Sequence, residues 1–163
     1  MADIKGALCP HCATPNNFYA DQAIAARCGR CERELFEGRA LTVLPHEILR
    51  HSPSGEAPPG KIPTLLICFG RIPGQNVRID CDRYARRYEP HLRVLTIDPL
   101  EHDEVWKRYA LRGVPTGLLL RDGREVDRTM GAPSDKRDPI AQMLRRQGIE
   151  PTHLFGGAPA TEA

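Results

Sequence analysis

Long hydrophobic runs are missing from this chain of 163 residues. Its longest uninterrupted apolar stretch, residues 65–69, is far short of the roughly 20 residues a helix needs to cross a bilayer. The first eight residues carry Asp3 and Lys5 and no apolar leader core, so the expected compartment is the cytoplasm, where thiols stay reduced. An excess of one charge is also missing. With 23 basic residues against 21 acidic ones the formal charge is +2, and neither nucleic acid nor a membrane is an expected partner on electrostatic grounds. No glycine-rich phosphate loop is present, since residues 70–74 lack the G-x-x-x-x-G-K pattern. No nucleophile motif or carboxylate pair points to hydrolysis, and His46, His51, His91, His102 and His153 are scattered along the chain. What remains is ordinary globular composition, 40% hydrophobic and 27% charged, enough for one modest domain plus a small appendage.

Cysteine is where the sequence is informative. Four of the six cysteines form two C-x-x-C pairs, Cys9 with Cys12 and Cys28 with Cys31, separated by fifteen residues. This is the spacing of a four-cysteine zinc site. Each C-x-x-C turn brings two thiolates to one cation while backbone amides at the turn soften their charge, and two turns complete a tetrahedron. Gly29 permits the tight second turn. The competing reading is a pair of redox-active or disulfide-bonded units. It is the weaker one, because a segment of this length buries little core without a staple. A closed four-thiolate shell leaves no open position, so Zn2+ would be structural, and His11 inside the first turn reads as a surface residue. Arg27 is the only basic residue between the pairs, which speaks against a nucleic-acid ribbon.

Beyond the ribbon, taken as residues 1–38, the pattern alternates. Residues 41–44 read as a short strand, 45–50 as a short helix opened by Pro45, and 52–61 as a loop rich in Pro, Gly and Ser. Residues 64–69 read as a central strand buried on both faces. A helix is expected over 78–88, with Val77, Cys81, Tyr84, Ala85 and Tyr88 on one face and arginines on the other. A strand follows over 92–97, then a helix from Asp98 and Pro99 to about Tyr109. Residues 114–120 and 125–130 read as a hairpin about Asp122-Gly123, and 134–146 as a final helix ending near Gly148. The fold class is therefore α/β, a sandwich with a mixed central sheet over residues 39–147. Residues 148–163 are expected to be a flexible tail, in which Leu154 and Phe155 either dock back on the domain or onto a partner or belong to an untethered segment.

From Cys9 to about Arg146 the chain resembles the thioredoxin family, in particular the thioredoxin-2 type with a zinc-binding extension. The resemblance rests on the ribbon pairs, on Leu35-Phe36-Glu37-Gly38, on Arg112-Gly113-Val114-Pro115-Thr116, and on Asp122-Gly123 followed by Met130-Gly131-Ala132. It implies a thioredoxin-like sandwich, with Pro115 in the cis form facing the site. It fails at the dithiol. Aligning Phe69 with the family's strand-end phenylalanine sets Pro73-Gly74-Gln75-Asn76-Val77 on W-C-G-P-C, and no C-x-x-C follows Cys31. The family's buried acid falls at Cys68 and its buried lysine at Val94. Without a dithiol to serve, a buried ion pair is costly to keep.

Three functions compete. The first is a redox-inactive adaptor, scaffold or chaperone-like subunit holding a protein partner in the groove of Pro73, Val114, Pro115, Met130 and Gly131. The second is an atypical thiol–disulfide oxidoreductase using Cys68 and Cys81, should these two lie near each other; otherwise they are small hydrophobes. The third is a zinc-ribbon nucleic-acid binder, which the near-neutral charge disfavours.

Overall fold

The structure is a computed structural model and describes residues 3–55, 58–71, 73, 79–152 and 154–155. Its N-terminal part is a hairpin of β1 (Ile4–Leu8) and β2 (Pro15–Tyr19), paired antiparallel from Ile4 opposite Tyr19 to Leu8 opposite Pro15. That register leaves Cys9 and Cys12 in the connecting turn. A 3-10 segment (Ala20–Ala25) follows, and a bridge between Arg27 and Glu34 closes a second turn around Cys28 and Cys31. Phe18, Ala23, Leu35 and Phe36 are buried as the ribbon's own small core, with the rings of Phe18 and Phe36 edge-on at 5.0 Å.

The sandwich begins with β3 (Leu41–Thr42), a 3-10 turn (Pro45–Glu47) and α1 (Ile48–His51). It continues through β4 (Thr64–Cys68), α2 (Cys81–Tyr88), β5 (Arg93–Ile97), α3 (Asp103–Arg108), β6 (Thr116–Arg121), β7 (Arg124–Met130) and α4 (Pro139–Arg146). The sheet order is β3-β5-β4-β6-β7. β3 and β4 run parallel to β5, while β6 is antiparallel to both β4 and β7. This is the mixed sheet of a thioredoxin-like sandwich. All five residues of β4 are buried, as a continuous apolar run at the centre of a sheet covered on both faces requires. Period-two alternation then sorts its side chains. Leu65 and Ile67 pack with Val94 and Leu119 under α2 and α4. Leu66 and Cys68 pack with Leu95, Ile97, Leu118 and Leu120 under α1 and α3.

Several element boundaries differ from expectation for local reasons. α2 starts at Cys81 because Asp80 is its cap, its carboxylate accepting from Arg83 N at 3.1 Å; Val77 and Arg78 lie outside the described residues. Asp98 does not cap α3. It closes a turn of its own, accepting from Leu100 N at 2.9 Å, and the helix begins at Asp103. α4 starts at Pro139 with Asp138 as its cap, accepting from Ala141 N at 3.0 Å. β6 starts at Thr116, after a cis Val114–Pro115 bond. Asp122 and Gly123 both have positive φ, 52° and 75°, as a tight hairpin turn needs.

The tail expectation needs correction for its described part. Ile149 is buried in the core under α2 and α4. Thr152 N donates to Arg87 O at 2.8 Å, and the Thr152 hydroxyl donates to Glu89 O. Leu154 and Phe155 pack against the ribbon core. Few apolar residues and no periodicity made this segment read as free, yet Ile149 joins one core and Leu154 and Phe155 take the docked alternative, against a core that belongs to another part of the chain.

Candidate functional site

The two C-x-x-C turns are built alike. Cys9 N donates to Thr14 O and Cys28 N to Arg33 O, at 2.9 and 2.8 Å; Ala13 N returns to Cys9 O and Glu32 N to Cys28 O, at 2.9 and 3.0 Å. Ala13 and Glu32, each four residues beyond the leading cysteine, both take positive φ, 60° and 63°. The amides two residues on, of His11 and Arg30, each point at the leading Sγ at 3.4 Å. These are the backbone donors expected to soften thiolate charge. The four Sγ atoms lie within 4.8 Å of one another, and Cys9–Cys31 and Cys12–Cys28 are each 3.6 Å apart. Four thiolates about 2.3 Å from a tetrahedral ion would be about 3.8 Å apart, so the set fits a single metal ion.

Surroundings split the four thiols. Amides of Cys31 and Arg30 and the Asn16 side chain pull Cys28 down to about 6, whereas burial pushes Cys9 up to about 12. Hydrogen bonding at Thr14 lowers Cys12. A cation is what allows four such groups to be thiolates together. His11 is exposed, its ring Nδ1 3.2 Å from Arg33 Nη1, and it stands outside the sulfur cluster.

At the other end of the sheet the structure brings together four of the five expected groove residues. Val114 and Pro115 lead into β6, and Met130 at the end of β7 pairs with Thr116. Gly131 N donates to Pro115 O at 3.1 Å. Met130 is 51% exposed although it is a large apolar side chain, and a Cβ on Gly113 would come within 3.9 Å of its Cε. Pro73 is exposed in the segment after β4; Gly74, Gln75, Asn76 and Val77 lie outside the described residues.

The structure does not bring Cys68 and Cys81 together beneath this groove. Cys68 is fully buried in the core under α1 and α3, whereas Cys81 packs against the core under α2 and α4. The sheet stands between them. Cys68 is pushed up to about 12 by burial, and Cys81 is also raised by burial, its Sγ 3.7 Å from the Thr96 hydroxyl. Period-two alternation could have shown this, since Cys68 shares its face with Leu66 rather than Ile67. With the sheet between them, the two thiols are not placed for a bond to each other.

Sequence reasoning missed the junction between ribbon and sandwich. Arg93, the first residue of β5, is 3% exposed and 4.4 Å from the Phe36 ring centre, and it is paired with Glu89, which is fully buried. A lone arginine at a strand start gives no signal of burial when its cover comes from a distant segment.

No family model matches the chain. Over 51 residues it is 31% identical to thioredoxin 1 of Nostoc sp. and, equally, to thioredoxin 1 of Synechococcus elongatus, a match covering 31% of this chain and 48% of each relative. The chain thus spans about half the length of the curated relatives it matches. Among solved structures it is similar to a mutant thioredoxin of Entamoeba histolytica, at 22% identity over 52% of this chain and 81% of the other, with a TM-score of 0.42. It is also similar to a mutant thioredoxin of Halobacterium salinarum, at 19% identity over 71% and 94%, with a TM-score of 0.45. Among the described residues no helix is long and apolar enough to cross a membrane.

Proposed function

We propose that this chain is a thioredoxin-like protein of the thioredoxin-2 type that has lost dithiol chemistry and works in the cytoplasm as an adaptor, scaffold or chaperone-like subunit. It holds an extended segment of a partner protein in the groove of Pro115, Met130 and Gly131. The observation that carries this reading is Met130, an adaptable apolar side chain left half exposed at a sheet end beside Pro115. Full burial of Cys68 and partial burial of Cys81, which raise both thiols, support the loss of redox chemistry, because raising a thiol makes it a poorer source of the attacking thiolate.

The ribbon's ion in this reading is Zn2+. Four thiolate donors near tetrahedral spacing suit it, and the closed shell makes it structural. Two assays test the proposal together. Reduction of insulin disulfides by the native protein with dithiothreitol as reductant should proceed at the rate of dithiothreitol alone. Selection from a displayed library of unstructured peptides should return extended segments with an apolar anchor. Catalysed reduction, or a library that yields no binder, would sink the reading.

A further inference from the structure

Arg93 joins the metal-binding ribbon to the central sheet. Its Nη2 donates to Leu35 O at 2.9 Å and to Leu8 O at 3.3 Å, and its guanidinium lies over the Phe36 ring. Leu8 directly precedes Cys9, and Leu35 follows the second turn. Both carbonyls are therefore positioned by the two turns that would clasp the ion. Arg93 Nη1 is 3.7 Å from Glu89 Oε1. Glu89 is fully buried and accepts from Gly38 N at 3.3 Å, while its Oε1 has no hydrogen-bond partner. The same residue's carbonyl receives the Thr152 hydroxyl, beginning the strap whose Phe155 packs on the ribbon. At Gly38, where φ is +67°, a Cβ would come within 3.1 Å of Phe155 Cβ and 3.2 Å of Arg86 Cγ, so ribbon closure, α2 and strap meet with no spare room.

We propose that Arg93 is a latch by which occupancy of the four thiolates controls docking of the ribbon, and with it the order of β5 and the C-terminal strap. This rests on the metal reading above. A ribbon with so small a core depends on its ion for structure. Once the turns loosen, Leu8 O, Leu35 O and the Phe36 ring leave Arg93. The guanidinium is then buried with a single long contact to Glu89, an arrangement that opens to water rather than persists. The ribbon is thus a metal-responsive closure. Coupling of this kind is reciprocal, so weakening the latch lowers metal affinity by the factor through which the metal strengthens the latch.

The test measures Zn2+ affinity by competition with a chromogenic chelator, and hydrogen exchange of the full chain with Zn2+ bound and after removal by EDTA. In the wild type, stripping should speed exchange in residues 3–38 and also in 87–97 and 149–152. In the double variant Arg93→Met with Glu89→Gln, which removes both buried charges together, affinity should fall roughly tenfold, within the usual coupling range. Exchange in 87–97 should then respond to stripping far less than in the wild type. Arg93→Lys keeps the charge but loses the fork, and should weaken Zn2+ binding severalfold even if the double variant does not fold. A wild type whose 87–97 segment ignores stripping, or an Arg93→Lys protein with wild-type affinity, overturns the latch. A wild type that takes up no Zn2+ overturns the metal reading itself, which separates the two failures.

Discussion

At the scale of single residues, the account turns on what each cysteine can do. Cys68, fully buried, and Cys81, partly buried, lie on opposite faces of the sheet, and burial raises both thiols. With Zn2+ bound, neither should react with an aromatic disulfide reagent at pH 8 over minutes, whereas all six thiols should titrate in guanidinium with chelator. Fast native labelling of either residue would contradict this. Ala13 and Glu32 make a second residue-scale prediction. Both carry side chains in the left-handed region, at φ of 60° and 63°, where a Cβ is strained. Ala13→Gly should therefore raise stability by up to about 1 kcal/mol in urea titration, less whatever the freer unfolded chain takes back. A clear loss would mean that the turn is held by something other than its backbone.

At the scale of elements, α4 is fixed by Asp138, whose carboxylate caps Ala141 N and also accepts from the Tyr84 hydroxyl at 2.9 Å. Asp138→Ala removes both bonds and should cost about 2 kcal/mol, against about 1 kcal/mol for Asp80→Ala at the exposed start of α2. Asp80 also pairs with Arg86 at 3.3 Å, a surface contact of little worth, so equal losses would show that the Tyr84 bond contributes no more than that surface pair. These elements were legible in the sequence because their apolar periodicity is strong, and Pro139 beside Asp138 even marks a start. The starts were misplaced where a polar residue served a nearer need. Asp98 followed by Pro99 reads as a helix cap but closes its own turn. Asp80 rather than an earlier residue caps α2. The clustering of the four ribbon cysteines was legible, since two C-x-x-C turns are local. The junction was not. Arg93 and Glu89 are only four residues apart, but Leu8, Leu35 and Gly38 on one side and Thr152 and Phe155 on the other come from distant segments, and only the assembled fold brings these to the pair.

At the scale of the whole molecule, that buried pair should set how stability depends on pH. Burial is the main cause that lifts Glu89 to about 7, opposed by Arg93 and the Gly38 amide and reinforced by Glu37 and Asp82. The native state then holds this proton more tightly than the unfolded chain, so ionising Glu89 removes stability as pH rises from about 4.5 to about 7. His51 acts in the opposite sense. Burial first and Arg93 second lower it to about 4, so its contribution grows as pH rises from about 4 to about 6.5. The two slopes oppose each other in the wild type. Glu89→Gln should unmask the rise due to His51, seen as a melting temperature that climbs between pH 4.5 and 6.5. A pH profile unchanged by Glu89→Gln would mean that Glu89 is ionised throughout.

The claim on which the functional account stands is that the groove beside Pro115 now binds a partner without reducing it. Met130 is its exposed apolar member, at the end of an edge strand where a charge can be carried without unfolding the sheet. The most direct measurement is the affinity of a library-selected peptide for the wild type and for Met130→Asp, with melting temperatures recorded beside it. The account predicts binding reduced by at least tenfold in the variant while the two proteins melt within a few degrees of each other. Undiminished binding by a folded Met130→Asp protein would contradict it.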